Sequence, residues 1–192
     1  MTRFAFACVF KQVPLRNLIY TSRANIYLKE HIMNLEPFYF PLAITLHALA
    51  AVIWVGGMFF AYMALRPVAA NILEPAVRLT LWSRTLGKFF SWIWLSIIII
   101  PVSGYWMIFS AFGGFAGVGW YIHVMQVLGI VMILIFLHVF FAPYLRLRKA
   151  VKDEDYQAGA KNLAQLRRLV GINLLLGLLV IITAIGFEHI PL

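Results

Sequence analysis

The chain has 192 residues, 63% of them hydrophobic and 12% charged, with a net charge of +9 and a mean hydropathy of +0.89. A soluble domain carries roughly a quarter charged residues and under half apolar ones, so this excess of apolar surface excludes a water-facing fold. The basic residues cluster between apolar segments rather than along one amphipathic face, which argues for membrane-flanking loops and against nucleic acid as a partner. The single cysteine, Cys8, excludes an intramolecular disulfide and any cysteine-based zinc or iron–sulfur centre.

In chain order, residues 1–32 contain an apolar stretch, Phe4 to Phe10, that is broken by Lys11 and followed by no small-residue cleavage site, so they do not read as a signal peptide. Four apolar runs follow, at 38–63, 89–110, 120–141 and 169–187. Each is long enough to cross a hydrocarbon core about 30 Å thick. The expected fold is all-α: a polytopic integral membrane four-helix bundle over residues 33–192. Pro101 is expected to kink the second helix, because it removes a backbone hydrogen bond. Phe38, Tyr39, Trp92, Trp94, Trp120, Tyr121 and Tyr144 read as interfacial belts. The first loop, 66–88, mixes Leu, Val and Trp with Arg and predicts a short amphipathic surface helix. The third loop predicts cytoplasmic extensions of helices three and four. Loop two, with Gly113, Gly114, Gly117 and Gly119, reads as a tight outer turn. No Gly-rich phosphate cradle or catalytic triad motif is present.

Lys and Arg number four in the first loop, none in the second, seven in the third and none in the tail after Glu188. The positive-inside rule therefore places loops one and three in the cytoplasm, with loop two and the C-terminus outside, in an inner membrane. That topology also puts five basic residues of 1–32 outside, where they are disfavoured. A true start at Met33 removes the conflict, so 1–32 is expected to be an extension that does not belong to the fold.

Ionisable residues inside a bilayer are costly and mark functional positions. His47 lies on helix one, and His123 and His138 on helix three. Ala43, Ala50, Gly57 and Ala61 form a small-residue stripe that admits a close helix neighbour. His47 and Trp54 fall within about 60° of it at 100° per residue. Counting 1.5 Å per residue from each run's centre, His47 lies about 6 Å outward of mid-membrane, and His123 about 11 Å, with Met107 at a similar depth. His138 and Met58 lie about 10–11 Å inward, with Asn173 slightly shallower. Imidazole and thioether suit copper, especially Cu(I), and both are also axial ligands of haem iron. A membrane-buried histidine can equally bond a neighbouring helix, and Met is common filler in apolar cores. Met125 and Met132 point away from His123 and read as packing residues. His189 beside Glu188 could be an exposed pair, and His31 falls in the extension.

The segment LHALAAVIWVGGMFFAYMALRP, residues 46–67, resembles the first helix of the copper-resistance protein D (CopD) family of bacterial inner-membrane proteins. GYWMIFSAFGGFAG, WYIHVMQVLGIVMILIFLHVFFAPYLRLR and RRLVGINLLLGL continue the resemblance through nearly everything after Met33. Matching positions are His47, Trp54, Gly56, Gly57, Arg66, Pro67, His123 and His138. The resemblance implies a four-helix module for copper handling or import, with a periplasmic copper-binding protein as a partner. Larger members of that family have more helices than this chain. The metal ligands expected are His47, His123 and His138, supported by Met58, Met107 and Asn173. Helix one's His-then-WxxG pattern is also similar, more loosely, to the haem-dependent protoporphyrinogen oxidases, and four-helix b-type cytochromes share the architecture. The alternative is therefore a haem b redox protein, with His47 and His123 holding the haem. Whether the chain is an enzyme, and its oligomeric state, stay open at this point.

Overall fold

The structure, a computed structural model, describes the backbone of residues 15–186 and the side chains of residues 38–186. Cys8, the side chain of His31, Glu188 and His189 lie outside the described residues. The chain divides into two units, 1–41 and 42–192. In the first unit the described backbone is helical from Leu15. Residues 15–32 of the expected extension are helical in backbone.

The elements are α1 (Leu15–Phe60), a π-helical turn (Ala61–Leu65), α2 (Arg66–Ile72), α3 (Pro75–Ala111), a 3-10 turn (Phe115–Gly117), α4 (Trp120–Val139), a second π-helical turn (Phe140–Tyr144), α5 (Leu145–Lys152) and α6 (Tyr156–Gly186). Four stretches are long and apolar enough to cross a membrane: Phe38–Ile72, Pro75–Ala111, Trp120–Lys152 and Tyr156–Gly186. The chain is a multi-pass, all-α membrane protein.

The helices run past the apolar segments, and one loop expectation is corrected as a result. Loop one is not a separate surface helix. Its residues continue the first span through α2 and begin the third helix at Pro75, with a break only at Leu73–Glu74. Proline fits the first turn of α3, where its missing N–H would have no partner anyway. Loop three shrinks to residues 153–155. There the Asp155 carboxylate accepts the Ala158 N–H at 2.9 Å, capping the start of α6 and placing negative charge at its positive end. The helical extensions expected from helices three and four are present as α5 and the first turns of α6.

Prolines account for the widened turns. Pro143 lies inside the second π-helical turn and Pro67 follows the first. A residue that cannot donate to the ladder is accommodated where the hydrogen-bond register shifts. Pro101 sits within α3, which continues through it to Ala111. Loop two turns on Gly113 and Gly114, whose φ values of 68° and 112° suit glycine.

The core lies in the half of the bundle nearest the basic segments. Phe90 meets Tyr144 at 4.9 Å and Phe136 at 5.4 Å, edge to face. Trp94 stands edge-on to Phe136 and Phe140 at 5.5 and 5.4 Å. Trp94 and Tyr144 therefore belong to the core, not to the interfacial belt expected of them, whereas Trp92 and Trp120 do face outward. Lipid tails are as apolar as these side chains, so shape and small residues hold the helices together. A Cβ at Gly57 would overlap the Phe89 ring, and one at Gly177 would approach Val55 within 2.8 Å and Met132 within 3.1 Å. Met132 is itself buried in this core.

Candidate functional site

Polar contacts between side chains inside the spans include three among the described residues. The first joins α1 to α3: His47 Nδ1 lies 3.0 Å from Ser103 Oγ. That hydroxyl is also 2.6 Å from the Ile99 carbonyl and 3.2 Å from the Ile100 carbonyl. Carbonyl oxygens only accept, so the single hydroxyl proton is directed to them and Ser103 Oγ accepts from His47. The network thus assigns the proton of His47 to Nδ1 and leaves Nε2 with its lone pair. An imidazole oriented by a hydrogen bond through one nitrogen is prepared to ligate through the other. Gly104 makes room for it, since a Cβ there would sit 3.3 Å from His47 Cε1.

The second contact lies in the same half of the bundle, where Gln126 Nε2 donates to Tyr105 Oη at 2.9 Å. The third lies in the aromatic half. Asn173, 3% exposed, donates its amide to Met58 Sδ at 3.8 Å, and its Oδ1 is buried with no hydrogen-bond partner among the described residues. Asn173 and Met58 line a cavity of about 30 Å³ together with Trp54, Phe136, Arg66 and Arg167. A space of that size holds about one water.

Of the residues the sequence singled out, the structure brings Met58 and Asn173 together, and sets His47 against Ser103. His123 and His138 are exposed on α4, and His123 stacks on Phe115 at 6.4 Å between ring centres. Met107 is half-buried on α3. Among the described residues no group of three or more His, Cys, Asp or Glu side chains is arranged to hold a metal ion. Sequence reasoning missed Ser103, Tyr105 and Gln126.

Four helices long and apolar enough to cross a membrane, with polar side-chain pairs between them, define a multi-pass membrane protein. Residues 83–187, just over half of the chain, match the family model described as Copper resistance protein D (CopD). The chain belongs to the CopD family and is a copper-resistance membrane protein. The match takes in Ser103, His123, His138 and Asn173, but begins beyond α1 and so beyond His47 and the quoted segment 46–67. No curated protein and no solved structure matches the chain.

Proposed function

We propose that this chain handles copper as cargo in a bacterial inner membrane, using side chains within its bundle as successive ligands. His47 is the first, through Nε2. Met58 and Asn173 are the second, about 16 Å further along the bundle at 1.5 Å per residue. His123 and His138 serve at the bundle surface, and Met107 supports His47's half. The observation that carries this reading is the commitment of Ser103 to a backbone carbonyl, which frees His47 Nε2. Thioether and imidazole favour Cu(I), and the unpartnered Asn173 oxygen supplies an acceptor beside the Met58 sulfur. The basic segments face the cytoplasm, loop two and the C-terminus face the periplasm, and import runs from His47 toward Met58, fed by a periplasmic copper-binding protein. The haem alternative has no observation in its favour.

The test is copper content by mass spectrometry and Cu(I) X-ray absorption on protein purified from copper-supplied cells. His47→Ala should lose the nitrogen-rich signal and Met58→Leu the sulfur signal, with the bundle intact by size exclusion. Wild type without copper, or both variants retaining the wild-type spectrum, would sink the proposal. Orientation is tested separately by alkaline phosphatase fused after Leu192 and green fluorescent protein inserted at Glu154, in the exposed turn. An inactive phosphatase would reverse the orientation.

A further inference from the structure

Beside the first π-helical turn lies a groove of about 450 Å³ lined by Tyr62, Met63, Arg66, Pro67, Ala70 and Arg167. Arg66 lies over the face of Tyr62, 4.9 Å from the ring centre, a cation–π contact that fixes where its charge points. Tyr62 is in turn seated against Gly171 of α6, where a Cβ would come within 3.1 Å of the ring. Arg78, donating to the Ala70 carbonyl at 3.4 Å, brings a third guanidinium to the same place. Arg66 and Arg78 lie near enough to Arg167 for their charges to bear on it. All three arginines are half-buried. None forms an ion pair among the described residues, and the nearby Glu74 is exposed. Each guanidinium carries five donors. Arg78 and Arg167 each make one bond, both long and both to backbone carbonyls, and Arg66 makes none among the described residues. Three like charges held together, partly desolvated and without a carboxylate, are unfavourable unless an anion joins them.

We propose that this groove binds a phosphate-bearing anion, with Arg66 and Arg167 as its two arms and Arg78 behind them. The planar guanidinium fork matches phosphate oxygens in pairs. The groove sits at the basic end of the first and fourth spans, where headgroups lie, so the expected ligand is the phosphate of an acidic phospholipid. A soluble phosphate is the other source of the same chemistry. The proposal does not rest on the copper reading: none of the three arginines is among the copper ligands, although Arg66 and Arg167 also border the cavity beside Met58 and Asn173.

The experiment uses the full chain, delipidated in detergent. Melting temperature is followed with added phosphatidylglycerol, phosphatidylcholine or inorganic phosphate, and retained lipid is read by native mass spectrometry. Phosphatidylglycerol should raise the melting temperature and stay bound where phosphatidylcholine does neither. Arg66→Gln and Arg167→Gln should each lower its retention about tenfold, the loss of one charged hydrogen-bonding partner. Arg146→Gln, at an exposed position on α5 that does not line the groove, should behave as wild type. Stabilisation by inorganic phosphate, with competition against the lipid, supports the site and assigns it to a soluble ligand. Equal responses to both lipids with none to phosphate overturn the proposal. So does undiminished retention in both arginine variants. The comparison of lipids on wild type alone decides the matter if the variants do not fold.

Discussion

The two halves of the bundle are held together by different physics. Toward the basic segments the interior is aromatic and tightly filled, with Phe90, Phe136, Tyr144, Leu147, Leu163 and Leu166 each 3% exposed or less. Toward loop two, Trp106, Phe109 and Phe112 face outward, and the described contacts between helices include two polar pairs, His47–Ser103 and Tyr105–Gln126. An aromatic core tolerates loss of a hydrogen bond and not loss of volume. A polar seam tolerates loss of volume and not loss of a partner. On the copper reading the oriented lone pair of His47 belongs to the polar half, since it comes from hydrogen bonding and not from packing.

The comparison breaks most visibly at Phe136. Its ring contacts Trp54, Phe90, Trp94 and Phe140, and truncation opens a cavity that neighbours on three helical segments cannot all close. In water such a change costs about 3–5 kcal/mol. In lipid the transfer contribution shrinks, because the tails are as apolar as the core. Phe136→Ala should therefore destabilise the bundle by about 2–3 kcal/mol, mostly cavity and lost edge-to-face contacts. Unfolding in mixed detergent measures this. Copper bound per folded molecule at His47 should not change, and a parallel loss of copper would mean the halves are not separable.

Ser103→Ala sharpens the comparison from the other side. It removes no large contact, yet it releases His47 Nδ1 and lets the ring choose either tautomer. Removing a partner that orients a metal-binding histidine lowers metal affinity about 10–100-fold, which is about 1.4–2.7 kcal/mol. Stability should fall by less than this, since Ser103 bonds chiefly to its own helix. Titration with a Cu(I) competitor chelator reads the affinity. An unchanged affinity would show that Ser103 does not position the imidazole.

The spans were legible because lipid demands long uninterrupted apolar helices, and that requirement is written in composition alone. Their ends were less so. Residues 145–152 were legible as a helical extension, whereas 66–72 read as a separate surface helix and instead continue the first span, because a helix already started extends cheaply and its polar flanks are solvated either way. Trp94 and Tyr144 misled for a related reason, since an aromatic near a span end suits the interface and the core equally, and only neighbours decide. In the candidate site, histidines and thioethers stood out against apolar runs, while Ser103 did not. The depth count that placed His47 about 6 Å outward puts Ser103 about 5 Å outward on the next helix, and Tyr105 and Gln126 within about 2 Å of each other. Hydroxyls and amides were legible by the arithmetic already in use for the histidines. What depth cannot supply is rotation: His123 and His138 lie at suitable levels and face outward, because the face of α4 that packs is set by Met132, Phe136 and Val139.

Asn173 is the exception in the aromatic half, a buried amide with one weak bond to sulfur and an oxygen with none. An unsatisfied carbonyl of this kind costs about 1–3 kcal/mol, whereas an apolar replacement of similar shape can be neutral or stabilising. The cavity beside it, about 30 Å³, has room for part of a larger side chain and for one water, which would recover some of that cost. Asn173→Leu should therefore shift stability by less than about 1 kcal/mol, in the stabilising direction if the cavity is dry. On the copper reading the use of Asn173 is the oxygen it places beside Met58. The variant should then retain copper nitrogen ligation at His47 and lose the sulfur signal, as is expected of Met58→Leu. Destabilisation by more than about 2 kcal/mol, a magnitude typical of a lost structural bond in a buried network, with the sulfur signal intact would instead make Asn173 a packing residue like its neighbours.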